Sequence, residues 1–266
     1  MITRRDILKG GLATLTVPYI GRGEPRRSML GAVDTGEEGS GEWVNPYVTD
    51  GLVAMWDGQW NAGGGIHVSE TMEWYDVCGN EPSLVPYDGL TPLLFGDKAL
   101  ITTSVVPWNE SSGRLFNQYA TLYTIECGFE NVRCNYNYPS FYNGRKGSTN
   151  GTMFRGMKWG QDSGTNTQIQ VILSNTSTSM QSTISNNERL TLSLTFDGIG
   201  RAYKNGLFDI QAEQTGRNVN TLLMVGGGPN GTCFREFYFL RIYSRCLTAA
   251  EIAENYSVDK VRFNLQ

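Results

Sequence analysis

A chain of 266 residues with 39% hydrophobic residues, 18% charged residues and 32 glycines has the material for one large, turn-rich β domain. That apolar content excludes a disordered chain, which carries fewer hydrophobic residues and more net charge. A formal net charge of −4 excludes an overall field that would gather nucleic acid or an anionic membrane, so no nucleic-acid partner is expected.

The chain starts Thr3-Arg4-Arg5-Asp6-Ile7-Leu8-Lys9, followed by a modestly apolar run from Gly10 to Ile20. This resembles a twin-arginine export signal, which implies an extracellular or cell-surface location. A membrane span needs roughly 20 apolar residues, and the run is shorter, so no span is expected. A second reading makes the same residues a retained arm that docks on another protein, as in a virion component. Residues 21–42 are rich in Gly, Arg and Glu without periodicity and read as a linker or extended arm. Two regions are expected: 1–42 as signal or anchoring arm with linker, and 43–266 as the folded domain.

Within the domain, Gly63-Gly64-Gly65-Ile66-His67 reads as a loop, with no strand–loop–helix unit carrying Lys and Ser/Thr that would make it a phosphate cradle. His67 is the single histidine and reads as a solvated loop residue. Glu70, Glu73 and Asp76 read as charges at a solvated edge. Ala99 to Val106 suggests a strand. In Tyr123-Thr124-Ile125-Glu126-Cys127-Gly128-Phe129 apolar and polar residues alternate, the period of a half-buried strand. Ile169, Val171 and Leu173 suggest another. Leu190, Leu192, Leu194 and Phe196 alternate with Thr191, Ser193 and Thr195, then Asp197-Gly198 turns the chain. Asn205-Gly206 follows as a tight hairpin turn, because both residues adopt positive φ at little cost. Phe234 to Tyr243 is apolar on both faces, as in a central or bulged strand. Thr248-Ala249-Ala250-Glu251 is a capping box opening a short helix with Ile252 and Tyr256 on one face. Regular short strands with Gly/Asn turns predict an all-β, antiparallel β-sandwich with a short C-terminal helix.

The segment Phe237-Tyr238-Phe239-Leu240-Arg241-Ile242-Tyr243-Ser244-Arg245-Cys246-Leu247-Thr248, with Glu251-Ile252 and Asn255-Tyr256, resembles the closing signature of laminin-G-like, concanavalin A-like domains. Ser244 stands where that signature has Asn and Cys246 where it has a small residue. Tyr203-Lys204-Asn205-Gly206 resembles the family's hairpin, Leu52 to Gly58 its opening strand and Tyr123 to Glu126 a middle one. The resemblance covers about Tyr47 to Phe263 and implies a concanavalin A-like jelly roll with Trp56 and Trp74 in core strands. It does not specify a ligand, because lectins, glycanases and adhesion modules share this fold. Some relatives bind calcium through loop carboxylates. Asp57, Asp76, Asp162 and Asp197 are available here, but no spacing singles out a cage, so no metal or other cofactor is expected.

Laminarinase-type glycosidases on this fold carry Glu-x-Asp-x-Glu on one strand. Here Glu126 is followed by Cys127-Gly128-Phe129-Glu130, without the central Asp. On that ground the chain is expected to be no enzyme, a glycan hydrolase being the weakest alternative. Five cysteines (Cys78, Cys127, Cys134, Cys233 and Cys246) include no Cys-x-x-Cys pair, which removes zinc-ribbon and thioredoxin-like chemistry. Cys127 reads as a buried thiol, with a bridge to Cys134 left open. What remains is recognition at a surface: a non-catalytic adhesion module for a glycan or cell-surface ligand, or a virion fibre or decoration component held by residues 1–42. Trp108 and Trp159 stand beside Asn/Ser/Gly-rich loops, and Tyr138 and Tyr142 in an Asn/Tyr/Pro segment. These four are the candidate ligand-binding residues, since rim loops carry function and aromatic faces stack on sugars.

Overall fold

The computed structural model describes residues 44–265 apart from 62–64, 87–88, 102–106, 110–121, 132–139, 147–148, 158–165, 174–175, 214–221 and 226–233. In chain order the strands are β1 (Leu52–Asp57), β2 (Glu70–Thr71), β3 (Val85–Pro86), β4 (Leu93–Phe95), β5 (Leu100–Ile101), β6 (Pro107–Asn109), β7 (Tyr123–Asn131) and β8 (Ser140–Lys146). They continue with β9 (Thr149–Met157), β10 (Asn166–Leu173), β11 (Thr176–Ser185), β12 (Arg189–Phe196), β13 (Ile199–Lys204), β14 (Leu207–Glu213), β15 (Leu222–Val225) and β16 (Phe234–Tyr243). One helix, α1 (Ala249–Arg262), closes the chain. The first sheet runs β14–β13–β12–β7–β16–β5–β4–β2, with β1 also on β16; the second runs β11–β10–β9–β8–β15–β6–β3. All pairings are antiparallel, as expected for an all-β sandwich with one short helix. Among the described residues no helix is long and apolar enough to cross a membrane.

Register decides where the core sits. β12 pairs with β7 so that Leu190, Leu192, Leu194 and Phe196 lie opposite Phe129, Cys127, Ile125 and Tyr123. The apolar faces of the two strands coincide, and they pack with Ile169 and Val171 of β10 and Met180 and Ile184 of β11. Each such side chain, fully buried, contributes about 1.5–3 kcal/mol. Trp56 and Trp74 lie in this core with no exposure, as expected. Cys127 is a buried free thiol there, and its expected neighbour Cys134 lies outside the described residues. The hairpin between β13 and β14 turns through Asn205 (φ 51°) and Gly206 (φ 74°). The Asn205 side-chain oxygen also accepts the Thr191 N–H at 2.9 Å, tying the turn to β12.

The alternation in β7 and β12 predicts half-buried strands, but their polar faces are buried too. Thr124, Glu126, Thr191, Ser193 and Thr195 are all closed to solvent. The cover is α1 together with residues near Tyr47. Two small apolar clusters hold it down: Tyr203, Tyr243, Leu247 and Ile252 on one side, and Ala99, Tyr238, Phe239, Phe263 and Leu265 on the other. A register shift between Phe237 and Phe239 of β16 lets the consecutive Tyr238 and Phe239 both join the outer cluster, which strict alternation forbids.

Between these clusters lies an ion network. Arg241, 1% exposed, donates from Nε to Glu126 at 3.1 Å and from Nη1 and Nη2 to the two Asp259 oxygens at 3.0 and 2.5 Å. Its guanidinium carbon lies 3.9 Å from the ring centres of both Tyr47 and Phe239. Asn255 donates to Glu126 at 2.8 Å and to the Tyr243 hydroxyl at 3.0 Å, and accepts the Val48 N–H at 3.0 Å. Arg262 donates to both oxygens of Asp57 at 2.8 and 3.0 Å and to the Tyr47 hydroxyl at 2.6 Å. Burial holds the Glu126 and Asp259 carboxyls above the usual carboxylate range, and the Arg241 charge offsets only part of that rise.

The helix start is secured as the capping box predicts. Thr248 accepts the Glu251 N–H at 3.2 Å and Glu251 accepts the Thr248 N–H at 2.8 Å. Glu251 also takes two donors of Arg245, at 2.6 and 3.0 Å. The Arg245 hydrogen bonds hold its carboxyl down at about 2.

Two measurements check this account. Arg241→Ala strands two buried carboxylates and is expected to cost about 3–5 kcal/mol in urea unfolding; a loss below about 1 kcal/mol would mean the network does not hold the helix. Glu251 has a folded pKa below its unfolded value of about 4.3, so its contribution is present above that pH and lost as pH falls towards 2. The stability gap between wild type and Glu251→Gln, about 1 kcal/mol or less at this half-buried surface site, is expected to close between pH 5 and pH 2.

Candidate functional site

The four residues singled out from sequence fall in different places. Trp159 and Tyr138 lie outside the described residues. Trp108 is the middle residue of β6, opposite Met224 of β15 and Val85 of β3. Tyr142 is in β8, opposite Val225 and Phe154, and Phe154 is opposite Val171. Tyr142 thus occupies the cross-strand row of the second sheet that runs through core residue Val171, and Trp108 falls in the neighbouring row with Asn143. Strand pairing places Trp108 and Tyr142 on the sheet rather than on free loops.

Asp162 lies outside the described residues, and several other polar residues weighed from sequence are built into the scaffold. Asp76 is not at a solvated edge: it is 3% exposed, and its carboxylate accepts four backbone N–H groups, from Met55, Cys78, Asn80 and Glu81, at 2.7–3.0 Å. His67 is half-buried, stacked on Phe95 at 4.0 Å, with Nε2 2.8 Å from the Asp57 carbonyl; burial lowers its pKa below the usual histidine value. It is a packed residue, not a solvated one. Asp197 pairs with Arg201. Among the described residues no three His, Cys, Asp or Glu side chains converge to hold a metal ion. Burial pushes the Cys78 thiol up to about 12, with Asp76 adding to the effect, so it is no nucleophile at neutral pH.

The described residues do form one concave site that the sequence pattern did not reveal. At the C-terminal end of α1, the 96–99 turn, the start of β12, β16 and residues 262–264 border an open cleft of about 310 Å³. Ligand pockets span about 300–1,000 Å³, so it suits a small ligand or the end of a larger one. Its polar wall comes from a single cross-strand row: Arg189 of β12 lies opposite Glu130 of β7, which lies opposite Glu236 of β16. Two carboxylates directly opposed on neighbouring strands repel. Arg189 bridges them, 3.1 Å from Glu130 and 3.8 Å from Glu236, while Arg235 takes the other Glu130 oxygen at 3.0 Å.

Tyr238, two residues beyond Glu236, donates its hydroxyl to Glu236 Oε2 at 3.1 Å. Burial, and then the Glu236 charge, push this phenol above its ordinary pKa, so it stays a donor. Its ring stacks on Phe263 at 4.9 Å, and both rings are 2% exposed: they support the cleft without offering a face. On the opposite wall Lys98 donates to the Arg262 carbonyl at 2.8 Å, capping the negative end of α1. Asn264, in the left-handed region with φ 51°, ends the helix at the mouth.

No protein-family model matches the chain, and no curated protein matches it. Solved structures do match. The Trypanosoma rangeli sialidase in complex with 2,3-difluoro-KDN superposes with a TM-score of 0.59 at 13% identity, over 80% of this chain and 33% of that one. A mutant of that sialidase displaying trans-sialidase activity gives 0.59 at 12% identity, over 80% and 33%. The botulinum neurotoxin serotype D binding domain gives 0.54 at 11% identity, over 79% and 52%. The chain thus spans about a third of the sialidases and about half of the toxin domain. The shared feature is the antiparallel β-sandwich fold.

These matches correct the expectation that the chain is no enzyme. It rested on a missing Glu-x-Asp-x-Glu run, yet the fold recurs in chains that are sialidases, which are enzymes. The physical reason is that carboxylates need not meet along one strand. Register brings Glu130 and Glu236 together across two strands, 106 positions apart, where a linear motif shows nothing.

A double-mutant cycle tests the row. Arg189→Ala is expected to cost about 1 kcal/mol, the scale of a partly exposed pair, and Glu236→Gln added to it to restore part of the loss by removing the like charge opposite Glu130. Strictly additive urea-unfolding energies would show that the three side chains are not coupled.

Proposed function

We propose that the chain is a carbohydrate-recognition β-sandwich, acting on glycans presented at a surface. The observation that carries this reading is the cleft beside α1. There the Glu236 carboxylate and the Arg189 guanidinium are set by an ion pair between two strands, the Lys98 ammonium is held by the Arg262 carbonyl, and the Asn264 amide completes the border. Sugars are bound by such arrays, because vicinal hydroxyls each need a donor and an acceptor at fixed spacing and a preorganised site loses little entropy on binding. The lectin-like fold shared with the sialidases and the toxin binding domain supports the reading at the level of architecture. Trp108 and Trp159 are kept as sequence-based candidates for further sugar contacts, because aromatic rings stack on sugars.

A glycan array probed with the full chain tests the proposal. A defined subset of glycans retained above background is expected, with Trp108→Ala or Trp159→Ala weakening longer oligosaccharides more than short ones. No glycan retained at any concentration at which the protein stays soluble would overturn it.

A further inference from the structure

Resting on the glycan reading, we propose that the Arg189–Glu236–Lys98 cleft selects an uncharged sugar ring, with Glu236 the acceptor for a pair of ligand hydroxyls, and rejects sugars carrying a carboxylate. The argument is one of charge at the walls. Both guanidiniums there are already paired with carboxylates: Arg189 lies between Glu130 and Glu236, and Arg262 is held by Asp57 at 2.8 and 3.0 Å, while Lys98 gives one proton to the carbonyl end of α1. Asp97 at the mouth adds a second carboxylate to that of Glu236. A ligand anion would meet these two charges and the negative end of the helix, with no unengaged guanidinium to hold it in a forked pair.

A neutral polyol meets complementary groups instead. Among the described residues Tyr238 and Arg189 both meet Glu236 at Oε2, which leaves Oε1 as the acceptor for ligand hydroxyls, while the Asn264 amide and the remaining Lys98 protons supply donors. The buried Tyr238 and Phe263 rings offer no stacking face, so hydrogen bonds, not ring contact, decide what enters.

The test is titration calorimetry of the full chain with the methyl glycosides of neutral hexoses, and with sialic acid and glucuronic acid as anionic probes. Three variants accompany the wild type: Glu236→Ala, Glu236→Gln and Asp97→Trp, the last blocking the mouth from an exposed turn without touching the ion pairs. Wild type is expected to bind at least one neutral glycoside about tenfold or more tightly than either acid, and Glu236→Ala to lose about tenfold for it. Glu236→Gln keeps an oxygen acceptor but releases part of the Arg189 charge, so its preference is expected to swing towards the acids, a change that mere loss of packing would not produce. Asp97→Trp is expected to abolish binding with an unchanged melting temperature.

Equal or tighter binding of an acid by wild type overturns the proposal. So does a glycan-positive protein whose affinities are unchanged in Asp97→Trp, which leaves the carbohydrate reading intact but moves the site elsewhere. If wild type binds no glycan in either experiment, the carbohydrate reading itself fails.

Discussion

A guanidinium removed from water must find counter-charges, and Arg241 finds its two on separate parts of the chain: Glu126 on β7 and Asp259 on α1. Satisfying that one group fixes the neighbouring strand, the helix and, through the Tyr47 ring, the segment that precedes β1. The polar faces of β7 and β12 can be buried only because this network, with Ser193 donating to Glu126 and Thr124 to the Arg245 carbonyl, meets their hydrogen bonds. An apolar cover alone would have left them unsatisfied.

The consequence for the candidate site is direct. Arg262 belongs both to the ion network, through Asp57 and Tyr47, and to the cleft border, so whatever seats the helix also positions a wall of the cleft. Magnitudes differ sharply across this continuum. Pairs near Arg241 are dry and cost several kcal/mol if broken, whereas Arg189 with Glu236 is half-open to water and contributes about 1 kcal/mol or less. Stability is therefore concentrated behind the cleft, and the cleft's own charges are left to ligand discrimination.

The sandwich is a shared scaffold, and chemistry on it is decided by which side chains register brings to one place. The row Arg189–Glu130–Glu236 opposes like charges on adjacent strands, a local conflict that a purely structural sequence would avoid. Conflicts of this kind concentrate at functional sites. The charge-paired wall and the buried rings beneath it suit polar, directional contacts.

The sequence alone determined what depends on neighbours along the chain. The period-two alternation of β7 and β12, the Asn205-Gly206 turn, the bulge-tolerant β16 and the Thr248 capping box all act within a few residues, so their patterns are legible in order. Only tertiary structure decided what depends on partners far apart: that the polar faces of those strands are covered, that Asp76 and His67 are packed, and that Glu130 meets Glu236. The reason is that alternation states which residues share a face but not what lies on it, and cross-strand register is set by the whole sheet. A site assembled from β7, β12, β16 and the end of a helix has no signature along the chain.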